Sequence, residues 1–239
     1  SITVAADSYR DLIGNNGGAG ASPDIVIDTV PPSVAITSAA ASVKAGDSAV
    51  ITFTFSESVT DFGPGDLTLV GGTLGELTAN ADNTIYTASF TPTANSVATA
   101  TIAVAADSYH DALNNAGVAA TSADITVDTQ LPTLAITSSV DSLKIGETAT
   151  INFAFSEAVT EFTAADVTTT GGTLTALAAD GDNSQYTATF TPAENSQATP
   201  SISVAAGSYG DAAGNPGGAG ATPAISVDTQ APSLTIVSD

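Results

Sequence analysis

Apolar and polar residues alternate with a period of two along much of the chain. Ile51 and Phe53 stand on either side of Thr52, and this spacing puts both apolar side chains on the same face of an extended strand. The same alternation runs from Tyr86 to Phe90. A helix would instead repeat its apolar positions every three or four residues. The pattern therefore predicts a succession of half-buried β-strands.

Clusters of Gly, Pro, Asn and Asp separate the alternating segments and predict tight turns between them. Seven short strands in about 100 residues are typical of an antiparallel Greek-key β-sandwich of the immunoglobulin type. The Cys and Trp residues that usually mark that fold are absent. We therefore expect an all-β chain of tandem immunoglobulin-like sandwiches with about seven strands in each. Between residues 29 and 128, the predicted strands lie near residues 33–38, 48–56, 66–70, 74–80, 84–91, 98–106 and 123–128.

The sequence repeats itself at an offset of 100 residues. Residues 1–29 recur as 101–129 and again as 201–229, and residues 51–62 recur as 151–162 without a gap. A fixed period of this kind indicates a tandem array in which each period is one folding unit, and linkers of the form Asp-Thr-x-x-Pro mark the joints. We assign residues 1–28 to the C-terminal part of a preceding repeat, 29–128 and 129–228 to two whole repeats, and 229–239 to the start of a following repeat.

The chain is strongly acidic, with 25 acidic residues, three basic ones and a formal net charge of −22. Because phosphates would be repelled, this charge argues against nucleic-acid and anionic-membrane partners. No apolar stretch reaches the roughly 18 residues that span a bilayer, so we expect no membrane insertion. The chain also lacks Cys, and the disulfides that usually reinforce secreted domains are therefore not available. A bound divalent cation is the obvious alternative.

Acidic residues gather where consecutive repeats meet. If the strands run up and down the sandwich, the end of the second strand and the long loop after the sixth share the pole that receives the linker. The linker aspartate of one repeat then meets a glutamate and an aspartate of the next. Calcium takes about six to eight oxygen ligands from carboxylates, amides and carbonyls, so we expect a Ca²⁺ site at each joint. The predicted ligands are Asp28, Glu57, Asp111 and Asn115 at one joint and Asp128, Glu157, Asp211 and Asn215 at the next.

The same residues have a plainer interpretation. Asp and Asn at loop ends often accept backbone N–H groups and cap turns, and acidic repeats often only keep a protein soluble. Asp66 and Asp166 are either further ligands or turn caps. The recurrence of the same acids at every joint favours a metal.

Several other residues have structural explanations. Zinc does not fit this chain, because Cys is absent and His110 is the single histidine; we expect His110 to be exposed. Tyr109 and Tyr209 are expected to pack at the joint pole and to direct their hydroxyls to the backbone. Lys44–Gly46 and Lys144–Gly146 predict a turn between the first two strands.

Nothing in the sequence indicates an enzyme. Paired carboxylates such as Glu57 and Asp111 can act as acid and base in glycosidases, but here they stand at joints and lack an aromatic platform for sugar. No glycine-rich phosphate loop precedes a helix, and no nucleophile elbow or Ser, His and Asp set is present. We expect no catalytic activity.

Four motifs carry a family resemblance. They are Ile-x-Phe-x-Phe-Ser-Glu-x-Val-Thr-x-Phe, Asp-Asn-x-x-Tyr-Thr-Ala-x-Phe-Thr-Pro, Ser-Tyr-x-Asp-x-x-x-Asn and Val-Asp-Thr-x-x-Pro. Together they cover essentially the whole chain, which resembles the bacterial Ig-like repeats of giant surface adhesins, including biofilm-associated and type-I-secreted RTX adhesins. We find no calcium-binding nonapeptide repeat of the RTX kind in these residues, and we expect any secretion signal to lie outside them.

This resemblance implies a secreted extender at the bacterial cell surface that holds a distal adhesive domain away from the cell. It also implies that calcium stiffens the joints, that neighbouring repeats are the direct partners, and that host or biofilm ligands bind to other domains. Two alternatives stay open. The repeats themselves could bind a glycan or protein through Thr-rich strands or polar loops, or arrays on adjacent cells could self-associate.

Overall fold

The computed structural model describes residues 1–237, which form two β-sandwiches of the same design with a short piece at each end. In that part of the chain no helix has the length and apolar character needed to cross a bilayer. The N-terminal piece contains β1 (Thr3–Val4) and β2 (Gly20–Ala21). The first sandwich contains β3 (Val34–Ser38), β4 (Ser42–Lys44), β5 (Ala49–Phe55), β6 (Leu67–Val70), β7 (Gly72–Leu74), β8 (Thr78–Ala79), β9 (Ile85–Pro92), β10 (Val97–Val104), β11 (Ala120–Thr121) and β12 (Ile125–Asp128). The second contains β13 (Leu134–Ser138), β14 (Ser142–Lys144), β15 (Ala149–Phe155), β16 (Val167–Thr170), β17 (Gly172–Leu174), β18 (Ala178–Ala179), β19 (Gln185–Pro192), β20 (Ser201–Val204), β21 (Gly220–Ala221) and β22 (Ser226–Asp228). One-turn 3₁₀ helices occupy Pro64–Asp66 and Ala164–Asp166.

Each sandwich has the strand order of an immunoglobulin-like fold. In the first, one sheet runs β3-β5-β9-β7, with β8 also paired to β9. The other runs β11-β10-β12-β4, with β6 also paired to β10. All pairs of this first sandwich are antiparallel except β4 with β12, which is parallel and places Lys44 opposite Asp128. The predicted all-β, immunoglobulin-like fold is confirmed.

Alternate residues of the central strands fill the cores. In β5, Ala49, Ile51, Phe53 and Phe55 are buried, whereas the residues between them are half-buried or exposed. The period-two pattern thus marks the core face of the sheet, as expected from strand geometry. The buried residues form two separate clusters, one for each sandwich.

Aromatic rings close the core at the pole where the repeats meet. Phe55 packs edge-on against Tyr109 with ring centroids 5.1 Å apart, a favourable geometry for aromatic pairs. The Tyr109 hydroxyl donates to the carbonyl oxygen of Val118 at 2.8 Å, and Tyr209 donates to that of Gly218 at the same distance. The predicted structural role of both tyrosines is confirmed, and they fix the loop that follows β10 or β20.

Short strands and one turn differ from the sequence prediction. β4 and β11 were not predicted, and the single strand expected at 74–80 is replaced by β7 and β8. The predicted turn after Lys44 is present, with Gly46 at a φ of 82°, but Lys44 itself ends β4. β4 exists because Val43 is buried against the core while its neighbours pair with β12.

The N-terminal piece keeps the local shape of a repeat without its core. Ile2 is 67% exposed and Tyr9 is 56% exposed, whereas their counterparts Ile102 and Tyr109 are fully buried. These apolar side chains are exposed because residues 1–28 include only the counterparts of the last strands of a repeat, and a hairpin without its facing sheet cannot bury them.

The second sandwich is less continuous than the first, and one residue explains why. In the first repeat, β10 pairs with β12 through four residue pairs that include Ala100 and Ile125. Pro200 stands at the position of Ala100, and β20 begins only at Ser201 and does not pair with β22. Proline has no N–H to donate to a ladder and restricts the residue before it.

Replacing this proline should repair the ladder. We expect Pro200→Ala to extend β20 toward Gln197 and to slow amide hydrogen exchange across residues 197–200, as measured by NMR. The net change in stability should stay within about 1 kcal/mol, because the added hydrogen bond is offset by a more flexible unfolded chain. The matched change Pro192→Ala removes a proline at the end of β19 and should leave exchange at 197–200 unaltered.

Candidate metal centre

Three carboxylates meet at the first joint. Glu57 follows the end of β5, Asp111 lies in the long loop between β10 and β11, and Asp28 begins the linker from the N-terminal piece. One oxygen from each lies within 4.8 Å of the others. The up-and-down strands deliver all three to one pole, as the sequence predicted, although they are up to 83 residues apart in the chain.

The second joint repeats this arrangement. Asp128 ends β12, Glu157 follows β15, and Asp211 lies in the loop between β20 and β21. Their oxygens also lie within 4.8 Å of one another. Two sandwiches that differ in many residues therefore assemble the same three acids in the same place.

The aspartate of the long loop is held by the loop's own backbone. Asp111 Oδ1 accepts the N–H groups of Leu113 and Asn115, each at 2.8 Å, and its Oδ2 accepts the side-chain amide of Asn115 at 2.7 Å. Asp11 and Asn15 make the same contacts in the exposed N-terminal piece, at 2.9 and 2.8 Å. The Asp-x-x-x-Asn sequence therefore sets this local shape, which is the turn-capping geometry typical of Asp.

The asparagines connect the loop to the linker. Nδ2 of Asn115 donates to the Asp28 carbonyl oxygen at 3.1 Å, and Nδ2 of Asn215 donates to that of Asp128 at 3.0 Å. Both amide nitrogens thus face the carboxylate side, where they orient Asp111 or Asp211. In this arrangement each asparagine uses its amide nitrogen to position the aspartates. It does not turn a further oxygen toward the space where a cation would bind.

Burial and the neighbouring carboxylates both raise the pKa of the two glutamates. Burial of the Glu57 carboxyl raises its pKa above the ordinary value of 4.5, and the charges of Asp28 and Asp111 raise it further. At the second joint, burial and then Asp211 and Asp128 raise the pKa of Glu157 in the same way.

The pKa of Asp111 shifts in the opposite direction. Several hydrogen bonds lower this pKa, and the one from the Asn115 side chain has the largest effect. The loop aspartate is thus already stabilised as an anion, while the glutamate beside it is not. A positive charge at the joint would stabilise the glutamates most.

One oxygen at the second joint has no partner. Oε1 of Glu157 is buried and accepts no hydrogen bond from any group in residues 1–237. Buried polar atoms are nearly always paired, and an unpaired one in a native fold points to an ion or water. Together with the two neighbouring carboxylates, this oxygen forms a donor set that fits a hard divalent cation such as Ca²⁺.

Other candidate residues lie outside the clusters. Oδ2 of Asp66 accepts the N–H of Gly63 at 2.8 Å, and that of Asp166 accepts the N–H of Thr163 at 2.7 Å. Of the two alternatives for these aspartates, the structure supports the turn cap.

The expectation that His110 is exposed was wrong. Its ring is half-buried, with Nδ1 2.8 Å from Asp61 Oδ2, and its backbone N–H donates to Asp61 Oδ1 at 2.7 Å. This contact ties the long loop to the segment after β5. The signal was weak in the sequence, because Glu161 and Gly210 stand at these positions in the other repeat.

Both sandwiches match the profile of one domain family. The profile of the bacterial Ig-like domain matches residues 28–127 and again residues 128–227. The chain belongs to the bacterial Ig-like domain family. Each match begins at a linker aspartate, Asp28 or Asp128, and therefore includes all three acids of one joint.

Several solved structures resemble this chain at low sequence identity. FdeC, an adhesin of Escherichia coli, is 17% identical and aligns with a TM-score of 0.40 over 85% of this chain and 65% of its own. InvD of Yersinia pseudotuberculosis is 21% identical, with a TM-score of 0.34 over 88% of this chain and 64% of its own. The adhesin InvE of the same organism is 16% identical, with a TM-score of 0.32 over 82% and 59%.

The bacterial Ig-like chain spans less than two thirds of each of these three structures. At such TM-scores the likeness says nothing about function. No curated protein matches the chain.

Proposed function

We propose that this chain is a non-catalytic spacer of a secreted bacterial surface protein, in which Ca²⁺ at each joint stiffens the array of Ig-like domains. The spacer would hold an adhesive domain of the same protein away from the cell. The observation that carries the proposal is the repeated convergence of three carboxylates at the joints. Membership of the bacterial Ig-like domain family supports it.

The position of the acids explains why a cation would act on stiffness. Asp128 belongs to the last strand of one repeat, whereas Glu157 and Asp211 belong to the next. A cation held by all three would tie two rigid bodies across their linker. Without it, mutual repulsion of the carboxylates favours their separation. The residues that would hold Ca²⁺ are Asp28, Glu57 and Asp111 at the first joint and Asp128, Glu157 and Asp211 at the second.

The distribution of aromatic residues favours a spacer over direct binding of sugars. Every Phe in the chain is buried, and among the five Tyr only Tyr9 of the N-terminal piece is exposed. Sugar-binding sites usually need an aromatic side chain that is free to stack against the ring. The two whole repeats present Thr-rich strands instead.

Calcium should raise the melting temperature and narrow the range of shapes of the chain. For a site at a tenfold excess of Ca²⁺ over its dissociation constant, linkage gives about 1.4 kcal/mol of added stability. This corresponds to roughly 6–11 °C for a repeat of this size. We would record thermal unfolding with Ca²⁺, with Mg²⁺ and with chelator, and the maximum dimension by small-angle scattering in each case.

A matched pair of double variants separates the joints from general charge effects. Glu57→Gln with Glu157→Gln should abolish the response to Ca²⁺. Glu76→Gln with Glu194→Gln removes the same charge from two exposed positions and should keep the response. If the parent melts at the same temperature with Ca²⁺ and with chelator, the acids are turn caps and the calcium proposal is refuted.

A further inference from the structure

A direct contact joins the two repeats beside the carboxylates. Lys44 Nζ donates to the Gly214 carbonyl oxygen at 3.0 Å, and the backbone N–H of Ala45 donates to Asn215 Oδ1 at 2.8 Å. Both bonds link residues 170 positions apart, across the linker. The turn after β4 of one repeat therefore lies on the Asp211–Asn215 loop of the next.

Other hydrogen bonds hold both partners of this contact in position. Lys44 ends β4, whose parallel pairing with β12 sets it beside the linker aspartate Asp128. Asn215 is oriented by its bonds to Asp211 and to the Asp128 carbonyl, which leave Oδ1 turned toward the preceding repeat. All of these bonds join groups of the protein itself.

The chain holds a second copy of each partner residue. A comparison of the burial of the two copies shows which side chains the contact covers. Asn215 is fully buried, whereas its counterpart Asn115 is only half-buried. Lys44 is half-buried, whereas the Lys144 side chain is 77% exposed. Asn115 and Lys144 face the ends of the described chain, where residues 1–237 bring no second whole repeat against them. The difference in burial therefore arises from contact between repeats.

The contact also involves a positively charged side chain, which is rare in this chain. Lys44 and Lys144 are two of only three basic residues in a chain with 25 acidic ones, and they occupy the same position in each repeat. An ammonium group that donates to a carbonyl gives a stronger bond than a neutral donor. It also places a positive charge at the joint where the acids converge.

We propose that the turn Lys44–Ala45 and the loop Asp211–Asn215 form a metal-independent latch that aligns consecutive repeats. The latch goes beyond the calcium proposal, because it holds the two repeats in register whether or not the carboxylates bind a cation. The joint then has two parts. The latch sets the orientation, and a cation adds stiffness to a joint that is already aligned.

Distances between spin labels in the two repeats test the latch. The chain has no Cys, so Val50→Cys and Thr150→Cys give one nitroxide on each sandwich, at equivalent exposed positions of β5 and β15. In chelator, we expect the pulsed EPR distance distribution of the parent to be narrow. Adding Lys44→Met should broaden it at least about twofold, because the turn loses its charged donor.

Lys144→Met is the matched control, since it removes the same side chain where no following loop contacts it in the described residues. It should leave the distribution unchanged. A parent that is already broad in chelator overturns the latch, as does a Lys44→Met chain that stays as narrow as the parent. The two proposals can be distinguished. If the distance distribution is narrow and depends on Lys44, but the melting temperature does not respond to Ca²⁺, the latch is supported and the calcium proposal is refuted.

Discussion

Gly217→Ala is expected to destabilise the second repeat by about 3 kcal/mol. A Cβ at this position would lie inside the Tyr209 ring, in contact with Cε2 and Cζ. The ring cannot move aside, because it is buried, packs against Phe155 with centroids 4.8 Å apart, and donates a hydrogen bond to Gly218. The loop backbone would have to lift instead, and the loop carries Asp211.

Calorimetry of the whole chain can measure this effect, because the first repeat serves as an internal reference. The transition of the second repeat should fall by at least about 12 °C, while that of the first repeat should change little. Gly117→Ala creates the same conflict with Tyr109. It should lower the transition temperature of the first repeat and change that of the second little.

The neighbouring glycine provides the control. A Cβ on Gly218 would meet only the Pro132 carbonyl oxygen, at an ordinary 3.8 Å, so Gly218→Ala should change stability by less than about 1 kcal/mol. If Gly217→Ala and Gly218→Ala have the same melting temperature, the loop can move away from the tyrosine ring without loss of stability. The tyrosine would then not be what holds Asp211 in place.

Much of the fold and of the acidic clusters follows from local patterns in the sequence. Alternation in Ile51, Phe53 and Phe55 identifies the core face of β5, and the direction of that strand then places Glu57 at the pole of the linker. The long loop's Asp-x-x-x-Asn spacing is similarly local, since Asp11 and Asn15 adopt the same hydrogen bonds without a surrounding core.

Features that depend on distant partners were not predictable in this way. Ser42–Lys44 has a single apolar residue, and it becomes a strand only through pairing with β12, more than 80 positions away. The latch joins Lys44 to Gly214 across two repeats, and no periodicity marks it. Lys44 was predicted only as part of a turn, because a lysine beside a glycine carries no signal of the surface it will meet.

The carboxylate clusters lead to a second large effect, which changes sign with calcium. In chelator at neutral pH, Glu157→Gln is expected to raise the melting temperature of the second repeat. The substitution removes an ionised group that is crowded by Asp128 and Asp211, and the amide NH₂ can donate to a neighbouring carboxylate. In Ca²⁺ the order should reverse, because the parent gains the binding free energy and the variant loses a ligand.

The dependence on pH distinguishes this electrostatic effect from a change in packing. The pKa of Glu157 in the folded chain lies above its ordinary value of 4.5, so the folded state holds this proton more tightly than the unfolded state. Its contribution to stability is therefore complete below about pH 4.5 and is lost as pH rises through the folded pKa. In chelator, the parent should gain stability relative to Glu157→Gln as the pH falls from about 7 toward 4.5.

Glu194→Gln is the control for charge alone, because Glu194 is exposed in the same repeat and stands outside the clustered acids. Its melting temperature should follow that of the parent at every pH, both in chelator and in Ca²⁺. Paired unfolding curves of the three chains give the comparison directly. A Glu157→Gln chain that is less stable than the parent in chelator would mean that the carboxylate is already compensated without a cation. The unpaired Oε1 would then require a water or a proton rather than Ca²⁺, and the joint would owe its order to the latch.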